Sequence, residues 1–274
     1  MFDITKSEIP WCDISNGKSN DCKHFPKMAP MIGSLTIFDL GYYDYHRMSH
    51  MDKLSMFFLS RVKSRAIAKI VSIKSGIHEK CLGEYFSTIT VPENQSYVEF
   101  TADFGEYEGL LIARVIVFWN NKENKYHWYM TNLKCEARFI FPLYKLRWQI
   151  ELVFKTVKSS FCFEDLCSAN KQIILNLLLL RMNLAFIFFP TLALIFEEIK
   201  FKEKMALSVQ RAGTIFRWIL PELKALLNKT GSDAELSLAR LNKMIEILKL
   251  ELSDPNYQKR KSTFFLCLEP LAMV

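Results

Sequence analysis

The chain has no pair of cysteines at C-x-x-C spacing. Its seven cysteines, at 12, 22, 81, 135, 162, 167 and 267, are scattered and odd in number. That excludes a zinc ribbon or a disulfide framework and leaves reduced thiols packed as small hydrophobes. The opening "MFDITKSEIPWCD" lacks the basic start and apolar stretch of a secretory leader. No internal repeat or low-complexity tract is present. From Lys53 to His78 there is no acidic residue at all, against six Lys and Arg. What the chain does have is apolar material: 50% of its 274 residues are hydrophobic and 14% aromatic, enough for a large core and incompatible with disorder throughout. The net charge of +7 and pI near 8.9 favour acidic partners such as nucleic acid.

One hydrophobic run, "IILNLLLLRMNLAFIFFPTLALIF" at 173–196, is long enough for a membrane span. Asn176, Arg181 and Asn183 interrupt it, and Pro190 lacks the amide hydrogen a helix interior needs. It reads as a buried core helix that ends near Phe189. A membrane-associated helical protein is the rival reading.

Along the chain, residues 9–15 read as a strand closed by the Asn16-Gly17 turn, and residues 21–31 as a short helix bounded by prolines. "LTIF" then forms a short buried strand ending in Asp39, which is followed by Leu40-Gly41. An acid at a strand end beside a glycine is where α/β folds place reactive groups, and also where a helix N-cap sits. A helix follows over 43–55. In "FLSRVKS", strand alternation projects Arg61, Lys63 and Arg65 to one side. Such a row suits phosphate contact, or else a charged edge strand facing water. Residues 84–91, 97–104, 109–119 and 125–132 read as four strands of a meander. Helices dominate beyond 144, including stretches near 202–219, 222–228 and 234–250.

The segment "YKLRWQIELVFKTVK", residues 144–158, reads as one helix. At about 100° per residue, Tyr144, Arg147, Glu151, Lys155 and Lys158 share an arc of about 80°. Leu146, Ile150, Val153, Phe154 and Val157 form the apolar flank. Salt bridges at i,i+4 on an exposed helix explain part of that polar stripe. They do not require the tyrosine or the distant lysine. Four such residues at fixed spacing recur by chance on the order of once in several hundred chains of this length.

The spacing Y-x-x-R-x-x-x-E-x-x-x-x-x-x-K, met by Tyr144, Arg147, Glu151 and Lys158, resembles the signature of bacterial DDE transposases of the insertion-sequence-4 group. "FDLGYYDY" at 38–45 resembles the stretch around that family's second catalytic aspartate, which assigns Asp39 to that role. The resemblance runs from about residue 8 to 190. It implies an α/β, RNase H-like core with a β-rich insertion before the glutamate helix and a helical C-terminal region. On this division 1–79 is the first part of the core, 80–135 the insertion, 136–200 the remainder and 201–274 the terminal helices. Asp39 and Glu151 would hold two Mg²⁺ (or Mn²⁺) ions, since hard cations take carboxylate oxygens. Tyr144, Arg147 and Lys158, with Arg61 and Lys63, would hold DNA phosphates. The implied partner is double-stranded DNA, as transposon ends and target. A homodimer and a cytoplasmic, nucleoid-associated chain without a membrane anchor are also implied.

One departure from the family's pattern stands out. A further aspartate is expected on the first strand, well before Asp39 and followed closely by a hydroxyl residue. Asp3 in "MFDIT" has the threonine, but only 35 residues separate it from Asp39. A full three-strand meander does not fit in that interval. Asp13 and Asp21 fit less well still. The expectation is a chain without the first carboxylate, with a non-catalytic DNA-binding protein as the alternative function. His46-x-x-x-His50, flanked by Asp44 and Asp52, lacks the glutamate of H-E-x-x-H and reads as a polar helix face.

Overall fold

The computed structural model describes residues 31–63, 66–85, 97–120, 123–160 and 170–203, with shorter pieces at Met1, Asp3, 9–13, Lys18 and 21–26 and a few single positions. The expected helices near 202–219, 222–228 and 234–250 lie outside the described residues, apart from the end of α4 and those single positions. Two compact units are present. One comprises Asp13–Arg147 with Thr263–Val274, the other Met1–Cys12 with Trp148–Ser262.

The first unit is α/β, built on a mixed six-stranded sheet of order β1-β2-β6-β5-β4-β3. Its strands are β1 (Leu35–Phe38), β2 (Phe57–Arg61), β3 (Ala68–Ser75), β4 (Tyr97–Phe104), β5 (Leu111–Asn120) and β6 (Lys125–Thr131). β1 and β2 are parallel, Leu35 beside Phe57 and Phe38 beside Ser60, and the crossover between them carries α1 (Tyr45–Lys53). This is the βαβ arrangement that parallel neighbours require. Asp44 caps α1 by accepting from the Arg47 amide at 3.0 Å. Met48 and Met51 of α1 are fully buried. β2 then pairs antiparallel with β6, Arg61 opposite Tyr129. β2 is therefore an interior strand, which overturns the edge-strand alternative for its cations.

A second helix, α2 (Ala137–Lys145), also packs on β2 and β5. Phe141 of α2 meets Phe118 and Tyr129. Tyr45 of α1 meets Phe104, whose cross-strand partner Leu111 has the opposite parity to Phe118. The two helices thus cover opposite faces of the sheet. Glu99, buried on β4, accepts from Arg114 Nε at 2.6 Å. The same guanidinium donates to the carbonyls of Leu133 and Cys135. These bonds tie the sheet to the segment entering α2 and so anchor the start of that helix.

Several expectations need correction. Residues 9–13 form no strand; Pro10 lacks the donor a ladder needs, and 14–15 lie outside the described residues. Of the expected helix over 21–31, the described part is a single 3₁₀ turn, Asp21–His24. The expected strand over 84–91 is represented by one bridge, Lys69 to Tyr85, with 86–90 outside the described residues. β3 was not anticipated as a strand of its own.

In the second unit, α3 (Trp148–Ser160) and α4 (Lys171–Glu203) are the helices of full length among the described residues. Asn170 caps α4 by accepting from the amides of Gln172 and Ile173. α4 passes through Pro190 rather than ending at Phe189; a proline removes one ladder bond, which does not stop a helix 33 residues long. Nor is α4 the buried core helix expected. Ala185, Phe188 and Phe189 are buried, but Leu179, Leu180 and Ile187 are exposed. By length and composition Lys171–Phe189 could cross a membrane.

Candidate nucleic-acid and metal site

The parallel pair β1 and β2 ends in two charged residues. Asp39 directly follows Phe38, and Arg61 is the last residue of β2. Carboxyl ends of parallel strands are where open α/β sheets gather ligand-binding groups. Asp39 is extended and caps a 3₁₀ turn, Leu40–Tyr42, its Oδ1 accepting from the Leu40 amide at 2.7 Å. The N-cap reading of Asp39 therefore holds for one oxygen. The other, Oδ2, lies 3.5 Å from Nη1 of Arg147.

Arg147 is not on the same helix as Glu151. The expected single helix from 144 to 158 is two helices, α2 ending at Lys145 and α3 starting at Trp148. At the joint the amides of Leu146 and Arg147 reach back only three residues, to the carbonyls of Leu143 and Tyr144. This tighter winding breaks the 3.6-residue register on which the shared stripe depended. Tyr144 accordingly faces the sheet and is only 8% exposed. Its ring lies 5.0 Å from that of Tyr129, and the Arg147 guanidinium stands 5.9 Å from its centroid. Burial raises the Tyr144 pKa; the Arg147 and Arg61 charges oppose this, as does a hydrogen bond that Arg147 donates to the hydroxyl. The phenol stays protonated at neutral pH.

Arg61 is half-buried, and its charge reaches Tyr144, Tyr129 and His127. Among the described residues its guanidinium has no carboxylate or hydrogen-bond partner. His127 is buried, with Nδ1 3.2 Å from the Tyr129 hydroxyl and Nε2 3.3 Å from Glu123 and from Asn120. Burial and then the Arg61 charge lower the His127 pKa, against the pull of Glu123. Burial raises the Tyr129 pKa.

Asp39, Arg61, Tyr144 and Arg147 are thus gathered in one unit. Tyr129 and His127 complete the cluster and were missed in the sequence. In "KYHWYMT" alternate residues share a face, so His127, Tyr129 and Thr131 point together, and only the pairing of Tyr129 with Arg61 puts them on Arg61's side of the sheet. Lys63 lies elsewhere. β2 stops at Arg61, the Ala66 amide donates to the Lys63 carbonyl, and the Lys63 ammonium sits over the Tyr43 ring at 4.9 Å. Arg65 lies outside the described residues.

Glu151 and Lys158 are on α3, in the second unit. They are two turns apart, about 10.5 Å along the axis. Glu151 is half-buried and Lys158 exposed, while Val153, Thr156 and Val157 are buried. Phe154, expected on the apolar flank, is exposed. Asp3 makes a single-residue bridge in that same unit, and Asp13 of the first unit pairs with His24. His46 and His50 are both exposed on α1, as a polar face should be.

The donor chemistry at Asp39 suits a hard divalent cation, since a carboxylate oxygen is exposed at a strand end. No group of three His, Cys, Asp or Glu forms a metal cage among the described residues. Mg²⁺ does not require one: it retains several waters and is commonly held by one or two carboxylates plus substrate phosphates.

Residues 1–187 match the family model described as "Transposase DDE domain". The chain is also 24% identical to the transposase for insertion sequence element IS231E of Bacillus thuringiensis subsp. finitimus, over 60% of this chain and 43% of the relative. It spans less than half of that relative's length. DDE transposases use divalent metal ions in general, and their α/β core agrees with the sheet and helices found here. The chain belongs to the DDE transposase family of bacterial insertion sequences.

Proposed function

We propose that this chain binds double-stranded DNA, as transposon ends and target, and takes part in cleavage and strand transfer that depend on Mg²⁺ or Mn²⁺. The observation that carries the reading is the cluster of Asp39, Arg61, Tyr144 and Arg147 at the carboxyl ends of two parallel strands. Arg147 and Arg61 supply guanidinium groups for phosphate oxygens. Tyr144, kept neutral by burial, donates a hydrogen bond rather than repelling the backbone. Lys158 and Lys63, outside that cluster, are assigned as further cations for DNA phosphates. Asp39 and Glu151 are the carboxylates assigned to the ions. Two such ions, when bound, activate the attacking hydroxyl and stabilise the charge that builds on the phosphate. A homodimer and a cytoplasmic, nucleoid-associated setting belong to the same proposal.

The test is nicking of a labelled duplex carrying the element's ends, with and without Mg²⁺. Metal-dependent nicking that disappears in Glu151→Gln and Asp39→Asn supports the catalytic reading. A second reading, DNA binding without catalysis, is favoured by the ion pair of Asp39 with Arg147 and by Asp39 being the one carboxylate in that cluster among the described residues. It predicts salt-sensitive binding indifferent to Mg²⁺ and no nicking by the wild type.

A further inference from the structure

We propose that Arg147 is an internal counter-ion of Asp39, which a divalent cation must displace, and that displacement releases its guanidinium to DNA phosphate. The inference rests on the assignment of Asp39 as a metal ligand above. It begins with how the two carboxylate oxygens are used. Oδ1 is committed to the Leu40 amide at 2.7 Å. The oxygen left for a cation is Oδ2, and Arg147 Nη1 already faces it at 3.5 Å. That distance is long for a hydrogen bond, so the contact is chiefly electrostatic and open to exchange.

The two partners are unequally accessible. The Asp39 side chain is 57% exposed and the Arg147 side chain 20% exposed. A solvated ion can therefore reach the carboxylate, while the arginine, which donates to the Tyr144 hydroxyl, is the more enclosed partner. A metal and a guanidinium on the same oxygen would repel each other at close range. Binding of one weakens the other, and by linkage the effect is reciprocal. Arg147 sits at the two-residue joint after α2, and its long side chain can change rotamer with the backbone in place. Tyr144 beside it is neutral, and the Arg61 charge also reaches that tyrosine. Once displaced, Arg147 stands in a cluster suited to an anion, and a phosphodiester meets that need.

The experiment is Mn²⁺ binding to the full chain without DNA, followed by electron paramagnetic resonance, so that no turnover is required. Asp39→Asn should abolish the strongest Mn²⁺ site. If it leaves Mn²⁺ binding unchanged, the metal reading of Asp39 falls and the exchange falls with it. Arg147→Gln should bind Mn²⁺ about two- to five-fold more tightly than wild type, the size expected for removing an exposed ionic competitor. Arg147→Lys keeps the charge but loses the fork that reaches Tyr144, and should fall between the two. It decides the matter alone if the glutamine variant does not fold. Lys145→Gln removes a neighbouring exposed charge and should leave the affinity as in wild type. Equal or weaker binding in the Arg147 variants, with Asp39→Asn still abolishing the site, overturns the exchange. So does equal tightening in Lys145→Gln, which would reduce the effect to overall charge.

Discussion

The signature residues fall into two pairs that are held very differently. Tyr144 and Arg147 close α2 against the sheet, and the Tyr144 ring rests on Tyr129, itself 1% exposed. Glu151 and Lys158 stand two turns apart on α3, the lysine exposed and the glutamate half-buried. Spacing along the chain unites the four, but the first pair belongs to one compact unit and the second to the other. The lesson is that the first pair carries structural duty as well as any duty toward DNA. Substitutions there combine two effects, and at the exposed Lys158 the effect on packing is the smaller of the two.

The largest effect is expected beneath the first pair. Tyr129→Ala removes a fully buried aromatic that touches Phe118, Phe141, Tyr144 and His127. It should cost about 3–5 kcal/mol in denaturant unfolding, as large-to-small core changes do. Tyr129→Phe keeps the packing and loses only the bond with His127, so about 1 kcal/mol is expected. A loss under 1 kcal/mol in the alanine variant would show that Tyr144 is not supported from below.

A smaller effect comes from pH. His127 is held neutral by burial and the Arg61 charge, so its folded pKa lies below the unfolded value. The unfolded chain then binds the proton first. The stability that depends on neutral His127 is therefore present above about pH 6.5 and lost progressively as pH falls below it. Unfolding midpoints measured from pH 8 to 5.5 should decline, and His127→Gln should flatten that part of the profile. An unchanged slope in the variant would remove His127 from the account.

The smallest effect on stability belongs to the second pair. Lys158→Ala should leave stability within about 0.5 kcal/mol, as surface changes do. It should lower the salt dependence of DNA binding by about one unit of slope. A large loss of stability there would erase the contrast between the pairs.

The parts of the fold that were legible share a simple periodicity. β1 with its terminal Asp39, α1 and the meander β4 to β6 follow alternation or helical spacing, punctuated by turn residues. β3 was hidden because its pairing with β4 shifts register twice, between Ile70 and Ser72 and between Ile73 and Ser75, so inward and outward positions stop alternating. The joint at Leu146 and Arg147 carries no glycine or proline to announce it, and Pro142 sits within α2 instead. At the site, Asp39, Tyr144, Arg147 and Arg61 could be nominated from local pattern. Tyr129 and His127 could not, because their meaning depends on the cross-strand pairing of Tyr129 with Arg61. Lys63 was nominated by extending strand alternation past the point where β2 ends.

The central claim, that Arg61 and Arg147 form a phosphate-binding pair, is tested most directly by the salt dependence of duplex DNA binding. Affinity should be measured for wild type and for the double variant Arg61→Gln/Arg147→Gln across a range of monovalent salt, with a divalent ion held at one fixed concentration so that Arg147 is released from Asp39. If both guanidiniums neutralise phosphates, the slope of log K against log salt should shrink by about 1.8 units. An unchanged slope, with both proteins folded and binding, would contradict the account.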